Sequence, residues 1–425
     1  MEPRAADPTF CGSRSHSRRA FLGATGMSWL TPLGTALARD AESERRPAKS
    51  VVVLWMGGGP SQLETFDPKP GTDIAAGTGA IPTAVRGVQL APGLEQLADL
   101  IGDVALVRSL VSPEGDHERG TYLLKTGFRP DPTVAHPSLG AVICHDLPAG
   151  TTDLPRHVSI LPGLWPARGG MLGARYDAFK VFDPAEKVPD VTPHVSSDRF
   201  DGRLADLGVV EDAFAAGRGG RAGATGHRDA LDRARRLMSS EQLAAFDVSR
   251  EPLAVRREYG DTAFGRGCLA ARRLLEVGVR CVEVTLDGWD SHANNHAVCR
   301  RLVGVLDPGF AALLRDLKRR DALKDTVVLC LGEFGRTPGV NPVGGRDHWP
   351  HGFSAAVAGG GLRGGVVVGE TDPAGGRQPK DPTPVANLHA TVLRAVGIDP
   401  AKTLRSPIGR TFPRSEGTPL AALLG

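Results

Sequence analysis

Three stretches carry most of the side chains in this sequence that can do chemistry. Glu333 and Arg336 lie in Gly332-Glu-Phe-Gly-Arg-Thr-Pro338, and Asp347, His348 and His351 follow in Gly345-Arg-Asp-His-Trp-Pro-His351. A carboxylate followed by an Asp-His-x-x-His loop suits a divalent metal or an anion. A turn-capping Glu and a polar loop closed by its own hydrogen bonds would read the same. The second set is Asp287, Asp290, His292 and His296, within Asp287-Gly-Trp-Asp-Ser-His-Ala-Asn-Asn-His296. Carboxylate plus imidazole suits zinc or another divalent ion. Asp290 and His292 are the stronger pair, because His296 already belongs to the helical stretch that follows. The third set, Asp116 and His117, falls between an apolar run and a helical pattern, and a helix N-terminus favours anions. Ser61 and Glu64, beyond the glycine run Gly57-Gly-Gly59, are further candidates, although Ser61 serves equally well as a helix N-cap.

Each set follows an apolar run. Residues 51–56 and 327–331 are short, rich in Val and Leu and without alternation, so they read as buried parallel strands. Residues 104–110 and 280–286 read as further strands. Ligands of an open α/β sheet bind outside the carboxyl ends of its strands. Asp290, His292, Glu333 and His348 are therefore expected to converge at one sheet edge, despite their separation in sequence. Strand and helix patterns alternate from Val51 to Gly397, which gives an α/β fold with a large, mostly parallel sheet flanked by helices. Residues 150–225, rich in Gly, Pro and Asp, are expected to be an irregular insertion over the site.

The chain has 425 residues, a net charge of +3 and 23% charged residues, with no basic block interleaved with aromatics, which argues against nucleic acid as a partner. Aromatic residues are only 5%, so the core must be built mainly from Val, Leu and Ala. No dinucleotide fingerprint or phosphate-binding Gly-Lys-Ser/Thr loop follows the glycine run. Five cysteines remain beyond Cys11, an odd number with no Cys-x-x-Cys, and they read as structural.

The front of the chain reads differently. Ser17-Arg-Arg-Ala-Phe-Leu-Gly23, a weakly apolar stretch and Ala36-Leu-Ala38 resemble a twin-arginine export signal with a small-x-small cleavage site. Residues 1–38 are expected to be that signal, 39–49 a linker, and 50–425 a single α/β domain in the periplasm or outside the cell. No later apolar run is long enough to span a bilayer.

Together, Leu54-Trp-Met-Gly-Gly-Gly-Pro-Ser-Gln-Leu-Glu-Thr-Phe-Asp-Pro-Lys-Pro70, Asp287-Gly-Trp-Asp-Ser-His292, Gly332-Glu-Phe-Gly-Arg-Thr-Pro338 and Arg346-Asp-His-Trp-Pro350 resemble one family, known as domain of unknown function 1501. It is grouped with the alkaline phosphatase and sulfatase superfamily. That resemblance implies a three-layer sandwich with metal ligands at strand ends: Asp290 and His292 as one half of the site, Glu333 and His348 as the other. Residues 116–127 are similar to the superfamily's nucleophile region, with His117 where a Ser or Thr would stand. The chain departs from the superfamily at Gly57–Gly59, where an Asp usually follows the first strand, and has no Cys-x-Pro-Ser-Arg motif.

The resemblance implies an exported hydrolase that uses a divalent metal, zinc or manganese, on a phosphate or sulfate ester of a small molecule or polysaccharide. His117 would act as base or transient nucleophile with Asp116 beside it, and Ser61, Arg336 and His351 would face the anion. The alternative is a catalytically degenerate binding protein of the cell envelope.

Overall fold

The computed structural model describes residues 47–216 and 227–424. The expected export signal lies outside the described residues, as does most of the expected linker. Among the described residues, nine strands form one sheet: β1 (Ser50–Gly57), β2 (Val104–Val111), β3 (His157–Ile160), β4 (Phe179–Val181), β5 (Cys281–Asp287), β6 (Thr326–Leu331), β7 (Phe353–Gly359), β8 (Val367–Val368) and β9 (Thr383–Pro384). Their order is β8-β2-β7-β6-β1-β5-β3-β4, with β9 continuing along β2 beyond β8. Every pairing is parallel except the two made by β7, which runs antiparallel to both β2 and β6.

Five helices matter for the core: α1 (His117–Thr126), α2 (Leu139–Asp146), α3 (Ala263–Glu276), α4 (Asn295–Arg319) and α5 (Val385–Ala395). Successive strand residues point to opposite faces, and both faces are covered. Val52, Leu54, Val282 and Val328 pack in one apolar cluster with Leu269 of α3 and Phe310 of α4. Val51, Trp55, Val327 and Leu329 pack in another with Leu124 of α1, Ile143 of α2 and Leu388 of α5. The molecule is therefore a helix–sheet–helix sandwich. Burying one such Val or Leu contributes about 1.5–3 kcal/mol, so the strands and helices carry the stability and leave the edge loops to chemistry.

The stretch expected to be an irregular insertion is more regular than its composition suggests. It supplies β3, the edge strand β4 beside it, and a helix over Ser197–Ala216. Residues 158–161 already read as strand-like in the sequence, whereas the three residues of β4 are too few to show a pattern. The five described cysteines are unpaired and buried. No helix among the described residues is long and apolar enough to cross a membrane.

Candidate metal centre

The carboxyl ends of β1, β2, β5 and β6 all open onto one edge. After β1 the chain turns through Gly58 and Gly59, at φ 108° and 70°. A Cβ at Gly58 would lie 2.5 Å from the Asp290 amide nitrogen, and one at Gly59 would lie 2.6 Å from the Phe334 ring. Glycine is needed there both for the left-handed backbone and for the close approach. After β2, Asp116 caps α1 by accepting from the Arg119 N–H at 2.9 Å, which makes His117 the first residue of the helix. Asp290 and His292 follow β5, and Glu333 follows β6. Gly335–Arg336 then pairs antiparallel with His348–Trp349. Because β7 runs backwards, its start lies at this same edge, and His348 is delivered there a few residues earlier.

Three imidazoles converge on one carboxylate oxygen. Asp290 Oδ1 lies 3.4 Å from His117 Nε2, 3.1 Å from His292 Nε2 and 3.5 Å from His348 Nε2. Each ring is held from behind by its other nitrogen. His117 Nδ1 lies 2.8 Å from Glu333 Oε1, His292 Nδ1 2.7 Å from Asp347 Oδ1, and His348 Nδ1 2.8 Å from the Gly115 carbonyl. Carboxylates and carbonyls only accept, so all three Nδ1 atoms carry the proton. In the neutral rings the Nε2 lone pairs are left facing inward. His292 Nε2 and His348 Nε2 are 3.0 Å apart, and His117 Nε2 is buried with no hydrogen-bond partner. Two lone pairs facing each other at that distance repel unless a metal ion lies among them or one ring takes a second proton. Backing of each ligand imidazole by a carboxylate or carbonyl is the arrangement that metal-binding histidines need. The residues present fit a divalent ion.

The electrostatics follow from the same bonds. The Glu333 hydrogen bond raises the His117 pKa, against its partial burial. Burial lowers that of His348. Burial works against the charge on Asp290, but the Arg336 hydrogen bond and positive charge outweigh it and keep the carboxyl below its usual range. The His292 hydrogen bond likewise lowers Asp347.

Asp290, His292 and His348 thus come together as neighbours, and His117 joins them. Glu333, grouped from the sequence with the metal ligands, stands one layer back. Its Oε1 contacts the far nitrogen of His117 and accepts the Gly58 N–H at 2.9 Å. The anion role expected of Arg336 is corrected by its burial. Its guanidinium is 0% exposed, and it donates to the carbonyls of Gly58, Gly59 and Arg346 and, at 2.6 Å, to Asp290 Oδ1. An anion has no access to it. Ser61 is also fully buried, its hydroxyl out of reach of a ligand from solvent. Asp116 is turned to its own helix, where its oxygen serves the Arg119 amide. His351 packs edge-on against Trp349 with ring centres 5.0 Å apart, lining a crevice with Gly352 and Thr371 away from the convergence. Asp347, singled out with the Asp-His-x-x-His loop, proves to back His292 from behind, a place that nothing in its spacing shows.

Beside the imidazoles lies a cleft of about 230 Å³, lined among others by His117, Thr121, Lys125, Asp287, Asp290 and Glu333.

Fold and centre together define an α/β sandwich protein with a three-histidine, one-aspartate cluster at the carboxyl edge of its sheet. The profile of the family described as "Protein of unknown function (DUF1501)" matches residues 48–424, and the chain belongs to that family. No curated protein matches the sequence. Among solved structures, the PsFucS1 sulfatase from Pseudoalteromonas sp. is similar at 14% identity, over 85% of this chain and 70% of that one, with a TM-score of 0.40. The alkaline phosphatase from the Antarctic bacterium TAB5 is similar at 12% identity, over 84% of this chain and 100% of that one, with a TM-score of 0.36. The lipoteichoic acid synthase LtaP from Listeria monocytogenes is similar at 8% identity, over 84% and 73%, with a TM-score of 0.38.

Proposed function

We propose that this chain is an exported, metal-dependent hydrolase acting on a phosphate or sulfate ester of a small molecule or polysaccharide. The observation that carries the reading is the convergence of three Nε2 atoms on Asp290 Oδ1 while every Nδ1 is already bonded. His117, His292, His348 and Asp290 would hold the ion. A mixed imidazole and carboxylate set favours zinc or manganese over calcium, which prefers oxygen alone. When bound, such an ion supplies Lewis acidity to an ester oxygen and acidifies water.

The chain's own groups do the positioning. Glu333, Asp347 and the Gly115 carbonyl fix the three rings, and Arg336 ties Asp290 to the Gly58–Gly59 turn. The adjoining cleft gives an ester room beside them. The motifs that resemble the alkaline phosphatase and sulfatase superfamily support ester chemistry, and Arg18-Arg19 with Ala36-Leu-Ala38 supports export. One observation favours the second reading, an envelope protein that only binds an anionic ester: His117 stands at the position that the superfamily gives to a hydroxyl nucleophile.

Elemental analysis of the purified chain, paired with turnover of aryl phosphates and sulfates, tests the proposal. A bound divalent ion that His348→Ala loses, and turnover that depends on it, supports the hydrolase. A protein that takes up no ion when offered zinc or manganese overturns it. Ion binding and anion binding without turnover select the second reading.

A further inference from the structure

Asp287 ends β5 directly opposite Gly57 of β1 and lines the cleft that holds His117 and Asp290. Its carboxyl group occupies a cradle made by two glycines. A Cβ at Gly57 would come within 1.9 Å of Asp287 Oδ1, and one at Gly163 would lie 3.4 Å from Oδ2. Each of the other carboxylates here has a protein partner: Asp290 has Arg336, Glu333 has the Gly58 amide and His117 through Oε1 although its Oε2 is unpartnered, Asp347 has His292, and Glu283 has Lys125 at 2.9 Å. Asp287 alone of these has no hydrogen-bond or ion-pair partner among the described residues. A carboxyl group in a fitted cradle, open to the cleft and free of protein partners, is available to a substrate.

Resting on the hydrolase reading above, we infer that Asp287 is the proton donor to the leaving group. Water adds its oxygen to the phosphorus or sulfur of the ester. The bond from that atom to the bridging oxygen breaks, its electron pair goes to that oxygen, and the Asp287 proton follows, releasing an alcohol. The proton of the attacking water passes to solvent and Asp287 takes one back, so only water is consumed. The surroundings keep the carboxyl group protonated to a higher pH than usual. Partial desolvation in the cleft is the largest cause, and Glu333 on the loop after β6 and Glu283 on the same strand act in the same sense. Lys125 of α1 opposes them, but its ammonium is turned to Glu283 and the Trp165 carbonyl.

A donor matters most for a poor leaving group, which gives the test its signature. The metal-loaded full chain and Asp287→Asn are compared on an alkyl ester and a nitrophenyl ester of the same acid, phosphate and sulfate in separate arms. The variant should keep its metal, lose about 10²- to 10⁴-fold on the alkyl ester, the usual reach of general acid catalysis, and lose less than about tenfold on the nitrophenyl ester. The alkaline fall of the wild-type rate should vanish. Gly57→Ala, which displaces the carboxyl group without removing it, should show the same selectivity. Equal losses on both esters, no loss on either, or lost metal overturn the role of Asp287 and leave the hydrolase reading standing. Absence of turnover of either ester by metal-loaded wild type overturns both.

Discussion

Glu333 Oε1 stands 2.8 Å from His117 Nδ1 and takes the Gly58 N–H at 2.9 Å with the same oxygen. One carboxylate oxygen thereby ties the first residue of α1 to the turn after β1, and orients the His117 ring toward Asp290. Glu333→Gln preserves the shape but weakens the pull on the imidazole proton. Loss of such a backing group typically lowers metal affinity about 10- to 100-fold. Competition with a chelator of known strength should show that drop with little change in Tm. Unchanged affinity would mean that the ring needs no backing.

Asp290→Ala and His348→Ala should each lower bound metal, and the double variant should do little further damage, because both remove ligands from one centre. Additive losses, measured by elemental analysis at fixed free metal, would indicate two independent sites.

Arg336→Ala should be costly to stability. It strips donors from three backbone carbonyls and leaves Asp290 without its buried partner. Asp290 is half exposed, so the larger cost is that of the carbonyls, roughly 1–3 kcal/mol for each buried acceptor left unsatisfied. Urea unfolding of the metal-free protein should show a loss of this size, and Arg336→Lys should recover only part, since an ammonium cannot span the four acceptors. A loss below about 1 kcal/mol, the ceiling for an exposed pair, would contradict the burial described above.

These outcomes bear on what the sequence makes legible. Apolar runs followed by glycine and polar residues located the strand ends, and Asp290, His292 and His348 could be assigned to one edge because parallel strands share a carboxyl side. Depth was not legible. Arg336 and Glu333 lie three residues apart in a loop, and nothing in that spacing shows that the first would be sealed under the glycine turn or the second placed behind His117. Those positions depend on how β1 and β6 pair, and on carbonyls that any residue type would supply. The reversed direction of β7 was equally hidden, because a short buried strand has the same pattern in either direction.

Acid should destabilise the fold through His389. This buried ring donates from Nε2 to the Leu124 carbonyl at 2.8 Å, and burial pushes its pKa down to about 4. An unfolded histidine titrates near 6.5. Between those values the unfolded chain binds a proton that the folded one excludes, so stability is complete above about pH 6.5 and falls as pH drops toward 4. The full contribution is about 3 kcal/mol. His389→Gln should flatten the dependence of urea midpoint on pH in that window, and an unaltered slope would assign the acid sensitivity elsewhere. Burial lowers His157 in the same direction, so some slope should persist.

Replacing Arg18 and Arg19 together by Lys should trap the precursor in the cytoplasm, because the twin-arginine pathway reads a guanidinium pair that ammonium groups do not reproduce. Cell fractionation with normal export of the double variant would remove that route.

The sheet is also stitched from distant parts of the chain. Ser50 of β1 meets Thr326 of β6 across 276 residues, and β2 closes against β7 only when the last quarter of the chain is present. Loop closure over such spans must precede the contacts that reward it, so a fold of this kind is expected to form slowly. On the ribosome, β1 has bare edges until β5 and β6 emerge, and unpaired strand edges of that kind are open to aggregation. The centre cannot assemble until His348, the last of its four side chains, has been made.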